Sequence, residues 1–232
     1  MVKNVVVTGG TKGIGKAIVE RFLQGGFRVF TCGSSKTSVS DLRTELSRFA
    51  TQFEVEVVDV RKKDELRQWS NKVMEHGPIY MLVNNAGRFI PGSIAGEPED
   101  AFEEMIATNL SSAYHATRSF LAGFGENGGF IFNICSTASI TAYTNGGSYC
   151  ISKFGLLGLS KVLREELKPR KIKVTSILPG ATLTDSWAGT ELPKDRFMQP
   201  EDIAAIVWNA TQLSAGTVLE EILLRPLQGD IG

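Results

Sequence analysis

Val5-Val6-Val7-Thr8-Gly9-Gly10-Thr11-Lys12-Gly13-Ile14-Gly15 is the stretch whose reading decides the fold. Three β-branched apolar residues in a row do not alternate with polar ones. They read as a strand covered on both faces, as in a parallel sheet. Residues 14–24 read as a helix, closed by Gly25-Gly26. Between strand and helix stands Gly-x-x-x-Gly-x-Gly. Glycines there permit a tight turn, close approach of backbone to a pyrophosphate, and close packing of helix on strand. The helix N-terminus then offers free N–H groups to phosphate. The spacing differs from Gly-x-Gly-x-x-Gly, and taken alone a plain glycine-rich turn would look the same.

Working outward, short apolar runs alternate with longer amphipathic ones. Strands are expected at residues 5–8, 28–32, 53–58, 79–83, 130–134, 173–178 and 219–224. Helices are expected at 14–24, 40–49, 64–76, 99–124, 148–167 and 203–213, with a Gly- and Pro-rich loop at 84–98. No repeat and no low-complexity segment interrupts the series. The β-then-α order predicts an α/β fold: one domain over residues 1–232, a doubly wound parallel sheet of Rossmann-like form with helices on both faces. Ligands of such sheets bind beyond the C-terminal ends of the strands.

The chain has 232 residues, 42% of them hydrophobic, enough for a sizeable core. Lys plus Arg number 25, as do Asp plus Glu, so the formal net charge is zero. That balance gives no electrostatic case for nucleic acid or an anionic membrane as the main partner. No apolar run reaches the length that spans a bilayer. Cys32, Cys135 and Cys150 are an odd number without Cys-x-x-Cys spacing. Together with the lack of a secretory signal at the N-terminus, they predict a reducing, cytoplasmic setting. His76 and His115 lie far apart on expected helices, without metal-ligand spacing, so no metal site is expected.

Nucleotide folds that prefer NAD often carry an acid after the second strand, bonding the ribose 2′-hydroxyl. Here the strand runs out as Cys32-Gly33-Ser34-Ser35-Lys36, with no acid. Ser34, Ser35, Lys36 and Lys12 suit a 2′-phosphate better than a bare ribose. The expectation is therefore NADP(H) over NAD(H), although both lysines are also readable as solvated surface charges. Tyr149 and Lys153 stand four apart on an expected helix, hence on one face. A free tyrosine ionises at about pH 10, and a cation one turn away favours the phenolate that acid/base work near neutrality needs. Ser136, thirteen residues before Tyr149, follows a strand and is placed to hydrogen-bond a developing alkoxide. Each residue also has a bland reading: packed aromatic, solvated charge, turn cap.

The ordered series Gly-x-x-x-Gly-x-Gly, Asn84-Asn85-Ala86-Gly87, Ser136 and Tyr149-x-x-x-Lys153 resembles the short-chain dehydrogenase/reductase family. The likeness is to its non-extended branch, which includes 3-oxoacyl-carrier-protein reductases and hydroxysteroid dehydrogenases. The resemblance implies that Gly9, Thr11, Lys12, Gly13, Ile14 and Gly15 form the phosphate loop. It implies that Asp59 and Val60 meet the adenine and that Asn85, Ala86 and Gly87 line the cofactor site. Pro179, Gly180 and Thr182 would contact the nicotinamide, and Tyr149 and Lys153 its ribose. Asn109 stands where the family's fourth catalytic residue holds a water in a proton relay to the lysine. The implied activity is hydride transfer between NADP(H) and a carbonyl or alcohol, with Tyr149 as general acid/base. The implied assembly is a homodimer or homotetramer through the long helices. The alternatives are an NAD(H)-linked alcohol dehydrogenase of the same fold, or a dinucleotide-binding regulator without catalysis. Phe89, Tyr143 and Trp187 are equally readable as substrate-pocket walls and as ordinary packing. The segment 181–199, which in the family covers the substrate, is short, which is readable as a bar to assigning a bulky substrate such as a steroid and equally as an open site or a disordered lid.

Overall fold

The computed structural model describes residues 2–231. Its strands are β1 Asn4–Val7, β2 Arg28–Gly33, β3 Phe53–Val57, β4 Ile79–Asn84, β5 Gly129–Ile134, β6 Ile172–Pro179 and β7 Glu221–Leu224. All pair in parallel, in the order β3-β2-β1-β4-β5-β6-β7. The winding direction reverses between β1 and β4, which opens a crevice beyond their C-terminal ends. The helices are α1 Gly13–Gln24, α2 Lys36–Glu45, α3 Lys63–Met74, α4 Ala101–Met105, α5 Ser112–Phe120, α6 Gly147–Leu167 and α7 Pro200–Thr211.

The valine run of β1 is wholly buried because both sheet faces are covered. Val5 and Val7 join one layer with Phe22 of α1 and Ile203 and Val207 of α7. Val6 joins the other with Leu66 and Trp69 of α3, Phe120 of α5 and Leu163 of α6. Aromatic contacts knit each layer: Phe22 and Trp208 have ring centres 5.3 Å apart, Trp69 and Phe120 5.4 Å. Burying a side chain of this size contributes about 1.5–3 kcal/mol. A polar seam crosses the second layer. Asn84 Nδ2 donates to Asn133 Oδ1 at 2.8 Å and to Thr117 Oγ1 at 3.0 Å, and Asn133 Nδ2 donates to Ser160 Oγ at 2.7 Å. It ties β4, β5, α5 and α6 in one register.

The larger departures from expectation are in α2, α7 and the stretch 99–124. Helix α2 starts at Lys36 rather than residue 40, because the Ser35 hydroxyl accepts from Ser38 N at 3.3 Å and caps it. It ends at Glu45, and residues 47–49 form a separate 3₁₀ turn. Helix α7 starts at Pro200 rather than 203, since proline suits a first helical position. The single helix expected over 99–124 is broken: α4 passes through a π-helical segment, Ile106–Ser111, into α5, and a 3₁₀ turn covers Leu121–Gly123.

Candidate active site

The turns after β1 and β4 are stitched into one wall of the crevice. Thr8 Oγ1 accepts from the main-chain nitrogens of Asn85 and Ala86, both at 3.1 Å. Asn85 Nδ2 donates back to the carbonyls of Thr8 at 3.0 Å and Gly9 at 2.9 Å. Gly9 sits at φ +65°, and a Cβ there would lie 2.9 Å from Ala86 Cα, so the turn needs glycine on both counts. Lys12 occupies the N-cap position of α1 without a side-chain cap bond, and no acid stands in the first turn. The first N–H groups of α1 therefore face the crevice without a side-chain acceptor, a cradle suited to a phosphate. Gly13, Ile14 and Gly15 form that first turn, and Thr11 packs against Gly33 at the end of β2.

Ser34 and Lys36 are exposed beside this turn, while the Ser35 hydroxyl is engaged as the α2 cap. Lys12 Nζ lies 2.9 Å from Asp185 Oδ2, both side chains about two-thirds exposed, so the segment after β6 meets the glycine loop. Asp59, after β3, is held by Arg61: Nε donates to Oδ1 at 2.9 Å and a terminal nitrogen to Oδ2 at 2.8 Å. These bonds keep its carboxyl below the usual range. Arg61 continues to Glu104, which also pairs with Arg88. Val60 packs against the Trp69 layer. Pro179 ends β6, Gly180 N donates to Leu224 O at 2.8 Å, and buried Thr182 donates to Gly180 O at 3.1 Å.

Tyr149 and Lys153 project from α6 toward the end of β5. Lys153 is 5% exposed, and its Nζ donates to Ile134 O at 2.9 Å and stands 5.7 Å from the Tyr149 ring centre. Among the described residues no carboxylate lies within ion-pair distance of it. A buried cation without a counter-ion is costly unless a nearby group gains from it. Phe89 meets the Tyr149 ring edge-on at 4.9 Å, so it does wall the tyrosine. Trp187 packs instead on Phe197, 5.0 Å away, and Tyr143 is 45% exposed. Ser136 caps the 3₁₀ turn Thr137–Ser139, accepting from Ala138 N at 3.1 Å, which leaves its hydroxyl proton to donate.

Asn109 lies in the π-helical segment and is 1% exposed. Its Oδ1 accepts from Arg88 N at 2.7 Å, and its Nδ2 donates to Arg88 O at 3.0 Å and Ser152 Oγ at 2.9 Å. Ser152 Oγ in turn donates to Tyr149 O at 2.7 Å. Both amide protons of Asn109 are thus spent on structure. Sequence reasoning passed over Glu104 and Glu97, whose partners lie at least 16 and 51 residues away, and also Ser152 and Arg61, although each acts on a near neighbour, Tyr149 and Asp59. Ser139, whose hydroxyl accepts from Ser136 N at 3.2 Å, had a local signal in its three-residue spacing from Ser136.

The sequence pattern of the short chain dehydrogenase family matches residues 3–194. The chain is 32% identical to the sepiapterin reductase of Chlorobaculum tepidum, across 98% of this chain and 97% of the relative. It is likewise 32% identical to 3beta-hydroxysteroid dehydrogenase 2 of Eggerthella lenta, across 84% of this chain and 77% of the relative. Its fold matches the alcohol dehydrogenase of the archaeon Thermococcus sibiricus complexed with 5-hydroxy-NADP, with a TM-score of 0.90, 26% identity and full coverage of both chains.

Proposed function

This chain belongs to the short chain dehydrogenase family of oxidoreductases, and from that premise we propose that it acts as a single-domain, NADP(H)-linked carbonyl reductase or alcohol dehydrogenase. One observation carries the reading: the buried Lys153 ammonium reaches from Tyr149 to the Ile134 carbonyl, two residues before Ser136. Lys153 is thereby tied to the strand end that leads to Ser136, and the turn after β1 carries the glycines a pyrophosphate needs.

When bound, the nicotinamide supplies or takes the hydride. Gly9, Thr11, Gly13, Ile14 and Gly15 would hold its pyrophosphate, and Asn85, Ala86, Gly87, Pro179, Gly180 and Thr182 the nicotinamide half. Asp59 and Val60 would border the adenine, with Asp59 presenting its main chain because Arg61 occupies its carboxylate. Lys12, Ser34, Ser35 and Lys36 favour a 2′-phosphate. The Tyr149 hydroxyl gives its proton to the carbonyl oxygen in reduction and takes it back in oxidation. Ser136 donates a hydrogen bond to the same oxygen, and the Lys153 ammonium favours the phenolate left behind. With its side-chain protons spent, Asn109 has its main-chain carbonyl to hold a water that resupplies the proton.

The relatives' names span a pterin-type reductase and a steroid dehydrogenase, and the chemistry common to them is a carbonyl–alcohol pair. The short segment after β6 suits a compact substrate. A cytoplasmic homo-oligomer acting on a small molecule fits this reading. NAD(H) is the second reading for the cofactor, favoured by the pairing of Lys12 with Asp185. Titration with NADPH and NADH, followed by tryptophan quenching, separates the two. Turnover is then measured on an α-diketone, a β-keto ester and an aromatic aldehyde. Tight NADPH binding with reduction of one of them is expected; binding without turnover of any probe would leave the regulator reading, and binding of neither nucleotide would overturn the dinucleotide-linked activity itself.

A further inference from the structure

Tyr149 stands in the first turn of α6, a weak place for a residue that must hold its position. The helix opens Gly146-Gly147-Ser148-Tyr149, and two glycines in succession are poor helix formers. No side chain of its own caps α6, and its first turn carries no acid. The missing anion comes from 51 residues earlier. Glu97, in the loop after β4, accepts from Ser148 N through Oε2 at 3.2 Å and from the Ser148 hydroxyl through Oε1. A carboxylate at a helix N-terminus satisfies orphan N–H groups and opposes the helix dipole.

The fit around this contact is close. Ser148 is fully buried. Gly147 adopts φ +23°, and a Cβ there would come within 2.6 Å of both Glu97 Oε2 and Gly92 O. The same loop is pinned a second time by Gly92 N donating to Asn145 O at 3.0 Å. On the other side of Tyr149, Ser152 donates to its main-chain oxygen and is itself held by Asn109. Among the described residues, Glu97 supplies the side-chain anchor that reaches the turn from its N-terminal side.

We propose that Glu97 is a positioning residue, clamping the first turn of α6 through Ser148 so that the Tyr149 hydroxyl meets the substrate oxygen beside Ser136. The proposal rests on Tyr149 being the acid/base. A misplacement of about 1 Å in such a group costs on the order of a hundredfold in rate. Glu97→Ala should lower kcat about tenfold to hundredfold, with the NADPH Kd and the KM for the carbonyl probe within about twofold. Glu97→Gln keeps an acceptor for Ser148 N and should recover most of the loss. Ser148→Ala should lower kcat less, and adding it to Glu97→Ala should cost little more, as expected for two ends of one contact.

Kinetics use whichever of the three carbonyl probes wild type reduces fastest. In parallel, amide exchange is followed along α6 in the NADPH-bound protein. In Glu97→Ala the amides of the first turn should exchange at least about tenfold faster, with those from Leu156 onward unchanged. Unchanged exchange in the first turn, or full kcat in Glu97→Ala while Tyr149→Phe is inactive, overturns the clamp and leaves the reading of Tyr149 standing. Full turnover in Tyr149→Phe overturns that reading itself. A uniform rise in exchange along α6, with kcat and KM both altered, would mark Glu97 as a general stability element and also overturn the proposal.

Discussion

Lys153 Nζ lies 5.7 Å from the centre of the Tyr149 ring and 2.9 Å from the main-chain oxygen of Ile134. One buried ammonium thus joins the helix that carries the tyrosine to the strand end that leads to Ser136. Removing the phenolic hydroxyl removes the proposed proton donor and leaves the packing of the ring on Phe89. Tyr149→Phe is therefore expected to lose about 10²–10⁴-fold in kcat, with Tm and NADPH affinity near wild type. Lys153→Met should lose a similar factor and also bind NADPH more weakly. Steady-state kinetics beside nucleotide titration checks both; a Tyr149→Phe enzyme within fivefold of wild type would remove the tyrosine from the mechanism.

The ion pair of Lys12 with Asp185 spans the glycine loop and the segment after β6. An exposed pair of this kind contributes about 0–1 kcal/mol to stability, so its consequence lies in binding. If Lys12 serves a 2′-phosphate, Asp185 competes for it. Lys12→Ala should weaken NADPH about tenfold and hardly change NADH. Asp185→Ala should tighten NADPH about two- to fivefold. Equal effects of Lys12→Ala on both nucleotides would place the lysine away from the 2′ position.

Asn109 is an anchor whose loss is structural before it is chemical. Its amide ties Arg88, after β4, to Ser152 of α6. Asn109→Ala strands the partners of three hydrogen bonds, one buried at Ser152 and two part-buried at Arg88, and should cost about 2–4 kcal/mol, with about 1–3 kcal/mol from the buried group and less from the two that water can reach. Urea denaturation measures it. A loss under about 1 kcal/mol would show that water replaces the amide without penalty.

The parts of this molecule readable from sequence are those where local pattern and tertiary need coincide. The valine run of β1 is buried on both faces, so its composition alone announces a central parallel strand. The glycine turn has only one conformational use at Gly9. Tyr149 and Lys153 share a helix face, so their spacing predicts their meeting. Elsewhere the deciding contact is not local. Residues 37–40 are poor helix formers, yet the Ser35 cap starts α2 just before them. The π-helical turn that holds Asn109 has an ordinary helical pattern in sequence, and its tie to Ser152 of α6 is 43 residues away. Glu97 and Ser148, like Lys12 and Asp185, meet across several intervening elements of secondary structure, a separation no spacing encodes.

Cys32 offers a test of the core through pH. It is fully buried in the layer with Val6, Phe30 and Val58, and burial pushes its thiol up to about 12. An unfolded cysteine ionises at about 8.5. Between those values the unfolded chain has released a proton that the folded chain retains. Stability is therefore full below about pH 8.5 and falls as pH rises toward 12, by up to about 1.4 kcal/mol per pH unit for one thiol. Cys32→Ala should lose about 1 kcal/mol at pH 7 from the small cavity. Its urea midpoint should then fall less steeply than that of wild type between pH 8.5 and 10. Burial raises the Cys135 thiol as well, but that contribution is common to both proteins and cancels in the comparison. In the native protein Cys32 should resist iodoacetamide at pH 8.5 and react on unfolding. Parallel midpoint curves for the two proteins, or rapid native labelling of Cys32, would show that this layer opens to water well below the global unfolding free energy.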